Sequence, residues 1–175
     1  MGTISMDENT ESSAVMDLLA KAKILAQQYR SLTGKPLGIT GEVAEYEASR
    51  ILGVKLTPAR QAGYDAVEMI RGSERRLQIK GRCLLEGCKP GQRLGTIDVR
   101  KEFDAVLLVL LDENFNATSI YEAGRAEVLA ALAAPGSISR NVRGALGIGK
   151  FKSIGHLRWA RGGGGKGALD EVLPA

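Results

Sequence analysis

The chain has 175 residues, 44% of them hydrophobic and 25% charged, a balance that suits one globular unit with a substantial core and excludes a low-complexity polymer. No apolar run approaches the roughly 20 residues needed to cross a bilayer. Residues 1–13 are polar and acidic where a secretory signal would be basic and then apolar, so a cytoplasmic protein without membrane attachment is expected. The net charge of +4 decides little by itself, and Cys83, Cys88 and the lone His156 are too few for a disulfide framework or a zinc set.

In chain order, residues 1–13 read as a disordered lead. Ala14 to Tyr29 then carries Val15, Leu18, Leu19, Ala22, Leu25 and Ala26 at helical spacing, which predicts an amphipathic packing helix. Gly34, Pro36 and Gly38 break the pattern, Thr40 is placed to cap a second helix over about 41–52, and Gly53 ends it. Tyr64 to Ile70 and Arg75 to Cys83 alternate as strands around Arg-Gly-Ser-Glu, a hairpin pattern. Strand alternation puts Leu77 and Ile79 on one face and Gln78 and Lys80 on the other. Residues 84–95 form a loop around Gly-Cys-Lys-Pro-Gly, and Asp104 to Leu111 is an almost unbroken apolar run of the kind buried on both faces of a sheet. Asn116 to Glu122 reads as a further strand, and Ala123 to Ala134 as a helix stopped by Pro135-Gly136. A basic extension over 135–161 and a glycine-rich flexible tail over 162–175 complete the chain, with no repeat of fixed period. The expected organisation is a single domain over 14–161 with its core at about 38–134, of α/β class, with a central mixed sheet flanked by helices.

Three segments bring together residue types suited to one chemistry: Gly41-Glu42-Val43-Ala44-Glu45 at a helix start, Gly63-Tyr64-Asp65 entering a strand, and Gln78-Ile79-Lys80 on the next. In-line cleavage of a phosphodiester needs a hard cation, oxygen ligands for it, and a group beside the attacking water. Asp65 would be the main anionic ligand. Gln78 offers a neutral amide oxygen, and Glu42 a supplementary carboxylate, with Glu45 one turn later as its rival. Lys80 would stabilise negative charge developing on the phosphate. Each residue also has a plainer reading: a helix-start acid favoured by the dipole for Glu42, a strand-end residue for Asp65, a solvated edge lysine for Lys80.

A helical Glu, then Gly-x-Asp on a strand, then Gln-x-Lys on the following strand resembles the PD-(D/E)xK nuclease superfamily, and Gln-Ile-Lys is similar to the Gln-x-Lys variant of Mrr-type restriction nucleases. The resemblance covers roughly 38–134. It implies a restriction-endonuclease-like αβββαβ core and Mg2+- or Mn2+-dependent endonucleolytic cleavage of DNA, as in defence or repair. It also implies metal ligands at Asp65, Gln78 and Glu42, with the lysine at Lys80. Tyr64 stands where the name-giving proline would be, and Gln78 replaces the acid. The alternative is a catalytically weak or inactive module of the same fold that binds DNA or serves as an accessory subunit.

No acidic residue occurs from Val128 to Leu169, a stretch that holds Arg140, Arg143, Lys150, Lys152 and Arg158. With Arg82, these are the expected phosphate contacts on DNA. Because cutting two strands favours two sites, a homodimer is expected. Gly144 to Phe151 matches a phosphate-binding loop up to its last position. Phe151 then replaces the Ser or Thr that would hold magnesium and no apolar strand precedes it, so no nucleotide cofactor is expected. Phe151 and Trp159 read as core residues before base-stacking ones.

Overall fold

The computed structural model describes residues 8–34, 37–58, 63–85, 87, 91–134 and 145–162. Two helices come first, α1 (Glu8–Thr33) and α2 (Thr40–Leu52), followed by strands β1 (Lys55–Leu56), β2 (Ala66–Ile70), β3 (Ser73–Cys83), β4 (Ala105–Leu111) and β5 (Ala117–Gly124). Helix α3 (Arg125–Ala133), a short α4 (Ile148–Ile154) and strand β6 (His156–Ala160) complete the order. The strands form one six-stranded mixed sheet in sequence order, antiparallel throughout except for the parallel pair β3 and β4. This is the expected α/β architecture of a central mixed sheet with helices on both faces.

A parallel neighbour requires the chain to cross over before the next strand. Residues 84–104 make that crossing, and their described part is not helical. All seven residues of β4 are buried, as its apolar run predicts, because layers cover both sides of it. On one side Ala26 of α1 and Val43, Ala44 and Ala48 of α2 pack on Leu77, Ile79, Leu107 and Val109. On the other, Val128 and Leu132 of α3 and Phe151 of α4 join Leu94, Ile97 and Phe103 of the crossover against Val106, Leu108 and Leu110. Phe151 is therefore a core residue, and Trp159 packs at the margin of the first layer.

Several expected boundaries move. Residues 8–13 are helical, so polarity there did not mean disorder. Thr40 is the first residue of α2, not its cap: Ile39 occupies the cap position and makes no side-chain bond to the helix. The Thr40 carbonyl and methyl lie instead against Gly81 of β3. Gly53 ends α2 at φ 71°, as expected. The basic extension contains α4 and β6, and β6 pairs with β5 and extends the sheet. Residues 1–7, 135–144 and 163–175, including Arg140, Arg143, the Pro135-Gly136 stop and nearly all of the glycine-rich tail, lie outside the described residues.

Candidate functional site

The β2–β3 hairpin sets the geometry. Arg71 and Gly72 at its tip both have positive φ, 51° and 80°, the turn whose twist matches paired strands, and they lock Ala66 opposite Leu77. Strand β3 then runs on for six residues beyond that partner, and no described strand pairs with its edge from Gln78 to Cys83 on the β2 side. Asp65 stands at the point where β2 leaves this edge. Its N–H donates to the Leu77 carbonyl at 2.8 Å, and its Oδ2 accepts the Ile79 N–H at 2.7 Å. The carboxylate thus stands in for the missing strand, and no described residue donates to its Oδ1.

Gln78 lies beside it, only 4% exposed, on the face shared with Val106, Leu108 and Leu110. Its Nε2 donates to the Gly63 carbonyl at 2.9 Å. That bond fixes the amide orientation and leaves Oε1 buried with no hydrogen-bond partner among the described residues. Gly63 is required for this arrangement: its φ is 111°, and a Cβ there would come within 2.9 Å of the Glu102 carbonyl. A buried amide oxygen without a donor costs about 1–3 kcal/mol, a penalty that a cation or an ordered water would remove.

Lys80 emerges two residues on, half-buried, with its stem near Gly95 of the crossover. It makes no ion pair within 4 Å among the described residues. Helix α2 approaches β3 from the opposite face, and Gly81 is what lets it in. A Cβ at Gly81 would lie 2.6 Å from both the Ala44 Cβ and the Thr40 carbonyl oxygen. The next residue, Glu45, lies half-buried beside this contact, near enough to Asp65 and Lys80 to be affected by both charges. Burial raises the Glu45 carboxyl from 4.5 to about 7, with the negative charges of Asp65 and then Glu42 adding to the rise and Lys80 opposing it. The charges of Asp65, Glu42 and Lys80 therefore all act on the Glu45 carboxyl.

Sequence reasoning placed Glu42 foremost in this group, whereas the half-buried acid is Glu45 and Glu42 is exposed in the first turn of α2. A signal was present in the small pair Ala44 and Ala48, one turn apart, of which Ala44 meets Gly81 of β3. Such pairs mark the line of closest helix–sheet approach and so the inner edge of the helix. The fully buried Glu47, which the sequence did not single out, is committed elsewhere. It accepts from Lys23 at 2.8 Å, Arg50 at 2.9 Å and the Ala117 N–H at 3.1 Å, tying α1, α2 and β5 together.

Among the described residues no three His, Cys, Asp or Glu side chains are grouped to hold a metal ion. A cation at this edge would draw on Asp65, the Gln78 Oε1 and the charge of Glu45, and take its remaining oxygens from water or substrate. That is how Mg2+ is commonly held. The donors present therefore fit a hard cation completed by its substrate, and not a closed structural site.

The expected phosphate contacts divide. Arg158 is held within the sheet, donating to Glu122 at 2.7 Å and to Glu68 at 2.8 Å, while Arg75 bridges the same two carboxylates. Its guanidinium is thus occupied by the fold. Arg82 donates to the Arg93 carbonyl and pins the crossover. Lys150 and Lys152 are exposed on α4, the latter with its ammonium 4.7 Å from the centre of the Tyr121 ring. No family model and no curated protein matches the sequence.

Proposed function

We propose that this protein is an Mg2+- or Mn2+-dependent endonuclease that hydrolyses phosphodiester bonds in DNA, of the PD-(D/E)xK kind that its Gly-x-Asp and Gln-x-Lys segments resemble. The observation that carries the reading is the buried Gln78 oxygen, without a partner among the described residues, beside Asp65, whose charge, with those of Glu42 and Lys80, acts on the Glu45 carboxyl. A divalent cation bound there would polarise the scissile phosphate and lower the pKa of the attacking water. Asp65, anchored through Oδ2 by the Ile79 N–H, and Gln78, whose amide is fixed by Gly63, are the residues that would hold such an ion, through Oδ1 and Oε1. Glu45 and Glu42 supply further negative charge that favours a divalent ion. Lys80 would supply the positive charge that stabilises the phosphate oxygens as they gain charge in the transition state. Lys150 and Lys152 offer exposed positive charge for the DNA backbone, within the acid-free stretch of the sequence.

A second reading, a DNA-binding module of the same fold without catalysis, is favoured by one observation: the amide of Gln78 stands where a carboxylate would complete a stronger ligand set. Either reading suits a cytoplasmic protein, and no helix among the described residues is long and apolar enough to cross a membrane.

The test is incubation of the purified chain with supercoiled plasmid and Mg2+ or Mn2+. Wild type is expected to nick the plasmid, and Lys80→Ala or Asp65→Asn to lower the rate by about 100-fold or more, the scale on which loss of a transition-state charge partner acts. A folded wild type that stays inert with both metals, yet still binds DNA, would replace the nuclease with the second reading.

A further inference from the structure

Helix α1 packs on the domain through one stripe, with Ala26 buried and Leu19, Lys23, Gln27 and Arg30 half-buried. A different stripe is left largely uncovered, with only Ala22 in it half-buried. Val15, Leu18, Ala22, Leu25, Tyr29 and Leu32 follow one another at steps of three, four, three, four and three residues. This is the 3.5-residue repeat of a coiled-coil seam, with leucine at every second position of the pattern. In the folded chain Leu18 is 63% exposed, Leu25 58% and Leu32 87%.

We propose that this seam is the interface of a homodimer, in which α1 of one copy pairs with α1 of a second copy. A strict 3.5-residue repeat stabilises only against another helix that winds with the same repeat, because knobs fill holes at that period. A membrane surface would instead reward a broad apolar face bordered by cations, whereas five of the six large apolar residues exposed on α1 fall on the seam, Ile24 being the exception, and none of the seam residues is charged. A twofold interface must match itself, and a seam of leucines with smaller residues between them can do so. At the exposures above, two copies would bury on the order of 1,000 Å2 together, about the minimum for a specific interface. Helix α1 has 26 residues, and its seam spans nearly three heptads. The inference does not rest on the chemistry proposed above, and a dimer without nuclease activity would leave it intact.

Sedimentation equilibrium of the full chain is expected to show a reversible dimer at micromolar concentration. Leu18→Glu with Leu25→Glu should raise its dissociation constant by about 100-fold or more, and the milder Leu18→Ala with Leu25→Ala by about tenfold. Because all four substitutions fall on solvent-facing positions, circular dichroism melts of dilute protein should leave the monomer fold unchanged. A wild type still monomeric at about 100 µM overturns the proposal. So does a dimer that neither double variant weakens, since it would use another face. A monomer that cosediments with anionic phosphatidylserine vesicles through Leu18 and Leu25 would assign the seam to a lipid surface and overturn it equally.

Discussion

Replacing Glu45 by glutamine should make the protein more stable at alkaline pH while weakening its response to a divalent cation. The Glu45 carboxyl is raised from 4.5 to about 7. Between those values the folded state keeps a proton that the unfolded state releases, so stability falls as pH rises through the window and levels off above it. At 1.36 kcal/mol per unit the full shift would correspond to about 3 kcal/mol. Glu45 is only half-buried, and screening by solvent reduces the expected penalty to about 1–2 kcal/mol. Glutamine keeps the shape of the protonated acid and carries no charge at any pH. In thermal melts with EDTA, Glu45→Gln and wild type should therefore nearly coincide at pH 4.5. At pH 8.5 the variant should melt about 2–8 °C higher, at roughly 2–4 °C per kcal/mol for a chain of this length. Adding Mn2+ at pH 8.5 should narrow the gap, because the wild-type carboxylate gains a partner that the amide does not replace. Two outcomes would refute the reasoning: a variant no more stable than wild type at pH 8.5, or one equally stabilised at both pH values.

Gly81→Ala should lower stability by about 1–3 kcal/mol in urea titrations, because its Cβ would meet the Ala44 methyl and the Thr40 carbonyl at 2.6 Å. By pushing α2 away from β3 it should also reduce plasmid nicking by more than the lost folded fraction. An activity loss matching the unfolded fraction alone would mean that the α2 approach does not position the site. Acid should act in the opposite sense from Glu45. Burial would raise the carboxyls of Glu47 and Glu122, but hydrogen bonds from Arg50 and Lys23 to the first, and from Arg75 and Arg158 to the second, hold both below the ordinary glutamate value. Each therefore contributes stability above its unfolded pKa that is lost as pH falls through the lower folded value. Glu47→Gln should destabilise clearly at pH 7 and much less at pH 3 in denaturant melts; an equal loss at both would assign its role to packing.

The elements with strong local signals were legible in the sequence. The apolar run of β4, the alternation of β3, the hairpin and the αL glycine after α2 each follow from side-chain period or backbone permissiveness. Asp65, Gln78 and Lys80 were legible as a group because two adjacent strands fix their separation once the hairpin register is set. The depth of Glu45 was not, since it depends on how closely α2 approaches Gly81, a tertiary contact. Strand β6 and helix α4 escaped for the same reason. Arg158 looks like part of a basic surface until Glu68 and Glu122 are found across the sheet to pair with it. The heptad on α1 was visible as an apolar stripe, but which part of it faces the domain required the packing of Ala26 and Leu19.

Crystals grown or soaked with Mn2+ give the most direct test, because the ion's anomalous scattering locates it independently of the protein atoms. The account predicts a single peak at the open edge of β3, about 2–2.5 Å from Asp65 Oδ1 and from Gln78 Oε1, with Glu45 turned toward it. A folded protein with no peak there at millimolar Mn2+, or with the Gln78 oxygen directed away into a bond with another donor, would contradict it.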